Sequence, residues 1–159
     1  MKSNTKQSDC AKWQRSLKKM AAPLLCGLFF YALFQFVLFI GYVPSASMEP
    51  TISANSFVLG TRIFGELQRG DIVIFKHEDR ILVKRIAALP GDTIIVDTNG
   101  AVHVSDSSQN NRHSLVVPEG HYYVLGDNKE SSIDSRCWLE PFVWRGHIIA
   151  RRIGILSFL

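Results

Sequence analysis

The sequence predicts a mainly β fold, a compact folded-sheet or β-barrel-like domain preceded by one N-terminal transmembrane helix. Three observations predict it. Residues 21–43 carry no charge, six short apolar or alternating runs come after residue 51, and turn-forming residues separate those runs. At 159 residues the chain has room for one domain plus an appendage, by the usual rule of roughly 100–200 residues per domain.

Residues 1–20 form a basic tail, in which Lys2, Lys6, Lys12, Arg15, Lys18 and Lys19 face Asp9 alone, a net +5. The remainder holds 12 basic and 13 acidic residues, a net −1, so the basic pI of the whole chain comes from the tail. Nucleic acid is therefore a poor candidate partner. An excess of Lys and Arg before an apolar span places that end in the cytoplasm and the chain beyond the span outside it.

The span itself is expected over 21–43. About 20 apolar residues cross the hydrocarbon core as a helix. A cleavable signal peptide has a shorter apolar region, roughly 7–15 residues. Pro44-Ser45-Ala46 offers only a weak cleavage site, so the span is expected to be retained, with the lipid bilayer as its partner. A buried core helix would show a polar face, and residues 24–40 have only Gln35 in their middle.

Residues 44–159 are then an outer domain. Its apolar runs lie at 57–59, 72–75, 81–83, 93–96, 122–125 and 148–155, and short runs of this kind read as strands. Arg69-Gly70-Asp71, His77-Glu78-Asp79, Pro90-Gly91-Asp92, Asn99-Gly100 and Gly126-Asp127-Asn128 supply turns. Residues 105–114 read as an extended polar loop. Of Cys10, Cys26 and Cys137 only the last falls in this domain, so it has no internal disulfide.

Chemistry is concentrated in Pro44-Ser45-Ala46-Ser47-Met48-Glu49-Pro50-Thr51, a serine loop directly after the apolar run. A serine hydroxyl is a poor nucleophile unless a base takes its proton. Lys84 is the best candidate base. Strand alternation in 81–86 puts Leu82, Lys84 and Ile86 on one face and Arg85 on the other. Apolar neighbours can desolvate a lysine and lower its pKa from about 10.4. Taken alone, Lys84 reads more readily as an exposed lysine that discourages pairing at a sheet edge. The polar segment 126–136 reads alone as an ordinary turn.

Four separated boxes together resemble the type I signal peptidases, membrane-bound Ser/Lys proteases that remove signal peptides from exported proteins. Residues 45–51 resemble the nucleophile box, 69–75 the second box, 84–92 the lysine box and 126–136 the last. The resemblance implies Ser47 as nucleophile and Lys84 as general base. It implies that Ser45 helps the Ser47 backbone N–H bind the oxyanion and that Ser132 orients the lysine. Arg85, Asp127, Asp134 and Arg136 match charged residues that brace the site through ion pairs, and Met48 matches a residue beside the substrate pocket. No metal or cofactor is implied. The implied partners are signal-peptide-bearing preproteins and the secretion machinery, and the implied place is the cell membrane, with a single pass and an extracytoplasmic catalytic domain. Lys129, Asn55-Ser56 and the stretch 137–141 depart from the family pattern.

Other functions fit the same residues less well. A Ser-His-Asp protease would draw on His77, His103, His113, His121 or His147, which read as loop or strand-end residues. No residues stand at metal-ligand spacing. Within the resemblance, the alternatives are a dedicated maturase of a conjugative or pilin precursor and an inactive assembly factor. The presence of both Ser47 and Lys84 disfavours the inactive form.

Overall fold

The computed structural model describes residues 20–96, 102–105 and 114–156. It divides into two units, residues 1–37 and 38–159. The basic tail, Cys10, Asn99-Gly100, His113 and most of the polar loop lie outside the described residues.

In the first unit an apolar helix, α1, runs over Met20–Val37, its last five residues in π-helical form. At 1.5 Å per residue it is about 27 Å long, close to the thickness of a bilayer core. None of its side chains is buried.

The helix stops earlier than the apolar composition suggests. Leu38–Val43, expected as the end of the span, is a strand, β1. It pairs antiparallel with β2 (Ser56–Thr61), from Leu38 opposite Thr61 to Val43 opposite Ser56. Apolar runs of this kind suit either state, and here neighbouring backbone groups decide it.

The second unit is mainly β, as expected. Besides β1 and β2 it contains β3 (Ile72–His77), β4 (Arg80–Ala88), β5 (Thr93–Val96), β6 (Val102–Ser105), β7 (Ser114–Val116), β8 (His121–Leu125), β9 (Phe142–Trp144) and β10 (Ile148–Leu156). Seven strands form one sheet in the order β1-β2-β10-β3-β4-β8-β9, and β6-β5-β7 form a smaller one. Every neighbouring pair is antiparallel.

Strand β3 explains how this sheet is stabilised. Ile72, Val73, Ile74 and Phe75 are all buried, so both faces are covered. Val73 and Phe75 join Ile86, Tyr122, Val124 and Ile148 in one cluster. Ile72 and Ile74 join Val43, Met48, Ile52 and Val58 in another. Fully burying such a side chain is worth roughly 1.5–3 kcal/mol, so the two clusters hold the strand from both sides. The turns at both ends of this region use the left-handed backbone, at Gly70 with φ 91° and at Glu78 with φ 52°. Glycine adopts that geometry without strain, whereas Glu78 closes the β3–β4 hairpin at some cost.

Strand β4 is long and is paired differently at its two ends. Residues 80–85 lie opposite β3, but pairing with β8 begins only at Arg85. The first half of β4 therefore has β3 on one side and no strand on the other among the described residues, which leaves space for a cleft.

Candidate active site

The serine loop is closed by its own backbone. Asn55 N–H donates to Val43 O at 2.8 Å, Ile52 N–H to Met48 O at 2.8 Å and Glu49 N–H to Ala46 O at 3.1 Å. Asn55 has φ 60°, a conformation that asparagine tolerates well, and its side chain accepts a 2.7 Å hydrogen bond from the Tyr42 hydroxyl. Residues 44–55 thus leave β1 and return to β2 as a pinned loop.

Lys84 reaches the same place from β4. The alternation expected for this strand holds: Lys84 and Ile86 are buried, Leu82 and Arg85 half-buried. Lys84 retains 3% of its surface, an unusual state for a lysine. Ser47, also buried, and Lys84 line one cavity of about 510 Å³, together with Ser45, Tyr42, Leu82, Val83 and Ile133. The Ser45 and Ser47 hydroxyl oxygens are 3.3 Å apart.

Behind the lysine stands a directional chain of hydrogen bonds. Lys84 Nζ donates to Ser132 Oγ at 2.9 Å, and the Ser132 hydroxyl donates to Asp134 Oδ2 at 2.7 Å. With its proton committed to Asp134, Ser132 can only accept from Lys84. One N–H of the amine is therefore held toward Ser132, and the lone pair of the neutral amine is left to face elsewhere.

Asp134 is wholly buried and holds the loop 126–136 together. It accepts from Gly126 N–H at 2.8 Å and from Arg136 Nε and Nη2, each at 2.8 Å. Burial alone would push this carboxyl up, but the bonds from Arg136, Gly126 and Ser132 hold it below the usual carboxylate range. Asp127 is governed in the same way, burial being outweighed by Arg85 and Thr51. Arg85 grips Asp127 with two bonds of 2.8 and 2.6 Å, reaches Gly70 O at 2.8 Å and Thr51 Oγ1 at 3.2 Å. A lysine at position 85 would lose this planar fork.

Burial is the largest influence on Lys84 and lowers its pKa from 10.5, against the opposing pull of Asp134 and Asp127, with Arg136 adding to the fall. The position of Asp134 reconciles these effects. It is paired with Arg136 and separated from the amine by the Ser132 hydroxyl, so its pull on the lysine does not overcome the effect of burial.

The structure thus gathers Ser45, Ser47 and Lys84 at one cavity, with Ser132, Asp134 and Arg136 behind them and Arg85–Asp127 beside the loop. Met48 is placed differently. It is fully buried in the cluster with Ile52, Val58 and Ile74 and is absent from the cavity lining, so its side chain supports the loop from beneath. None of the described histidines lines this cavity. Among the described residues no His, Cys, Asp and Glu side chains gather as a metal site.

Sequence reading overlooked three participants. Thr51 and the Gly70 carbonyl both receive Arg85, although each lay inside a recognised box. Gly126 matters for space: a Cβ there would press on the Ser132 hydroxyl, lie 2.5 Å from Ser132 Cβ and 2.6 Å from Ser47 O. Nearby, Asn128 N–H donates to Ser47 O at 3.1 Å. The serine loop and the loop 126–136 meet here at backbone distance.

Comparison with known proteins points to one family. The family model described as signal peptidase, peptidase S26, matches residues 15–115 and 99–156. Signal peptidase I of Bacillus licheniformis is 35% identical over 160 residues, covering 85% of this chain and 82% of that protein. Signal peptidase I of Leptolyngbya laminosa is 30% identical over 183 residues, covering 95% and 88%. The probable signal peptidase I-2 of Synechocystis sp. is 32% identical over 146 residues, covering 73% of this chain and 66% of its own length. With the family model matched over most of its residues, this chain belongs to the signal peptidase family, peptidase S26.

Proposed function

We propose that this chain is a serine endopeptidase that removes N-terminal signal peptides from preproteins, with Ser47 as nucleophile and Lys84 as general base. The observation that carries the reading is the cavity shared by Ser47 and a buried Lys84 whose amine is oriented by Ser132.

In the reaction, neutral Lys84 takes the Ser47 proton as Oγ attacks the carbonyl carbon of the scissile bond. The Ser47 backbone N–H and the Ser45 hydroxyl stabilise the oxyanion, and a comparable donor in another protease is worth about 10²–10³ in rate. As the C–N bond breaks, the Lys84 ammonium returns a proton to the departing amine, the new N-terminus of the mature protein. Lys84 then deprotonates a water that attacks the acyl-enzyme, releasing the signal peptide as a carboxylic acid. Small side chains one and three residues before the cut are the expected specificity.

Membrane anchoring completes the reading. Helix α1 exposes Leu24, Leu25, Leu28, Phe29 and Phe30, an apolar surface that a bilayer would cover. The basic tail would stay in the cytoplasm and residues 38–159 would face the other side of the cell membrane, with secretion machinery as a further partner.

Incubating the detergent-solubilised chain with a preprotein bearing an Ala-Xaa-Ala site should yield the mature N-terminus. The pH profile adds the sign. A lowered lysine pKa means that the neutral base persists to lower pH, so kcat/KM should fall on acidification with its inflection below the ordinary lysine value of 10.5. No cleavage, or an inflection at the free-lysine value, would overturn the assignment.

A further inference from the structure

Beside the Ser47 cavity lies a second one of about 190 Å³, lined by His77, Glu78, Arg80, Leu82, Ile133 and Trp138. We propose that it is a subsite for one bulky aromatic or aliphatic side chain of the precursor, about four residues from the scissile bond. This rests on the function proposed above and extends its specificity beyond the small residues near the cut.

The walls are preformed. The His77 ring stacks on Trp138 with centroids 4.0 Å apart and planes inclined by 22°. Trp138 in turn meets Phe75 edge-on at 6.1 Å and packs against the core cluster of that strand. Leu82 and Ile133 add aliphatic surface, while the charged groups Glu78 and Arg80 are exposed. The volume is below the roughly 300–1,000 Å³ of small-molecule sites, so it suits a single side chain.

Continuity with the catalytic cavity identifies whose side chain. Arg80, Leu82 and Ile133 line both spaces. Ile133 is 71% exposed where the two spaces share a wall, available to whatever crosses. Along β4, alternation places Arg80, Leu82 and Lys84 on one face. At about 3.3 Å per residue, Arg80 stands roughly 13 Å from Lys84. An extended substrate covers that distance in about four residues. Binding energy gathered there can be used at the reacting bond, because remote contacts help position it.

The test uses the full chain in detergent and peptides with small residues at the cut. Single phenylalanines are placed three to six residues away on either side, with an all-alanine flank as reference. At one such position phenylalanine should raise kcat/KM about tenfold or more over alanine, a factor in keeping with burial of one large side chain. His77→Ala and Ile133→Asn should each bring that ratio toward one, and Ile133 is exposed enough that its replacement spares the fold. If the wild type cuts the peptides with ratios within twofold at every position, or if the preference survives both substitutions, the subsite is overturned. If it cuts no peptide, the peptidase reading itself fails and takes the subsite with it.

Discussion

Replacing Ser47 or Lys84 with alanine is expected to lower kcat/KM for preprotein cleavage by on the order of 10⁴-fold or more, the scale seen when a nucleophile or its base is removed. The two losses should not add, because each group acts through the other. Lys84→Arg is expected to be as inactive as the alanine variant, since a guanidinium stays protonated and cannot accept a proton. It also forces a permanent charge into a site where Lys84 is 3% exposed, so its melting temperature should fall below that of Lys84→Ala. Rates for Ser47→Ala, Lys84→Ala and the double variant, with melting curves for each, decide the matter. Turnover by Lys84→Ala within tenfold of wild type would remove Lys84 from the role of base.

Gly126→Ala should damage both fold and activity. The added carbon would collide with Ser132 and crowd the Ser47 carbonyl at 2.6 Å, and much of the obstruction is backbone or short side chain that cannot swing away. Overpacking of this kind costs about 1–3 kcal/mol. The activity loss should be larger than stability alone explains, on the order of 10²-fold, because a displacement of about 1 Å in catalytic groups has that effect. Gly154→Ala is the control: nothing lies within 4 Å of its added carbon, and a substitution in open space stays within about 0.5 kcal/mol. Full activity of a correctly folded Gly126→Ala protein would show that the two loops have slack that the structure does not suggest.

How much of this was legible in the chain depended on whether the deciding physics was local. The face of β4 could be read because alternation is a property of the strand itself. That is why Lys84 and Ile86 were expected together, and the structure buries both. The turns at Gly70 and Gly91 were legible for the same reason, each having a positive φ that glycine accommodates. The family boxes pointed to the remaining site residues, with no distance needed. Leu38–Val43 could not be assigned from composition, since an apolar run fits the end of a helix and a sheet strand equally, and only β2 settles it. Strands β6, β7 and β9 were missed because they are short and borrow their order from neighbours. Adjacency to Ser47 in sequence says nothing about which side of the loop a side chain takes, and the apolar cluster below holds Met48. Gly126 was visible as a turn residue at the start of a box, and its importance lies in what comes near it from positions 47 and 132.

The early end of helix α1 also dictates where the enzyme can be trimmed. Removing the whole uncharged run, up to Val43, would take away an edge strand as well as the apolar helix. Gone with it would be the Val43 carbonyl that receives Asn55 and the Tyr42 hydroxyl that steadies the same residue, the two fastenings at the base of the serine loop. A soluble form beginning at Leu38 keeps both, whereas one beginning at Pro44 leaves Ser47 on a frayed terminus. In this chain the border between apolar helix and sheet falls six residues before the border between apolar and polar sequence.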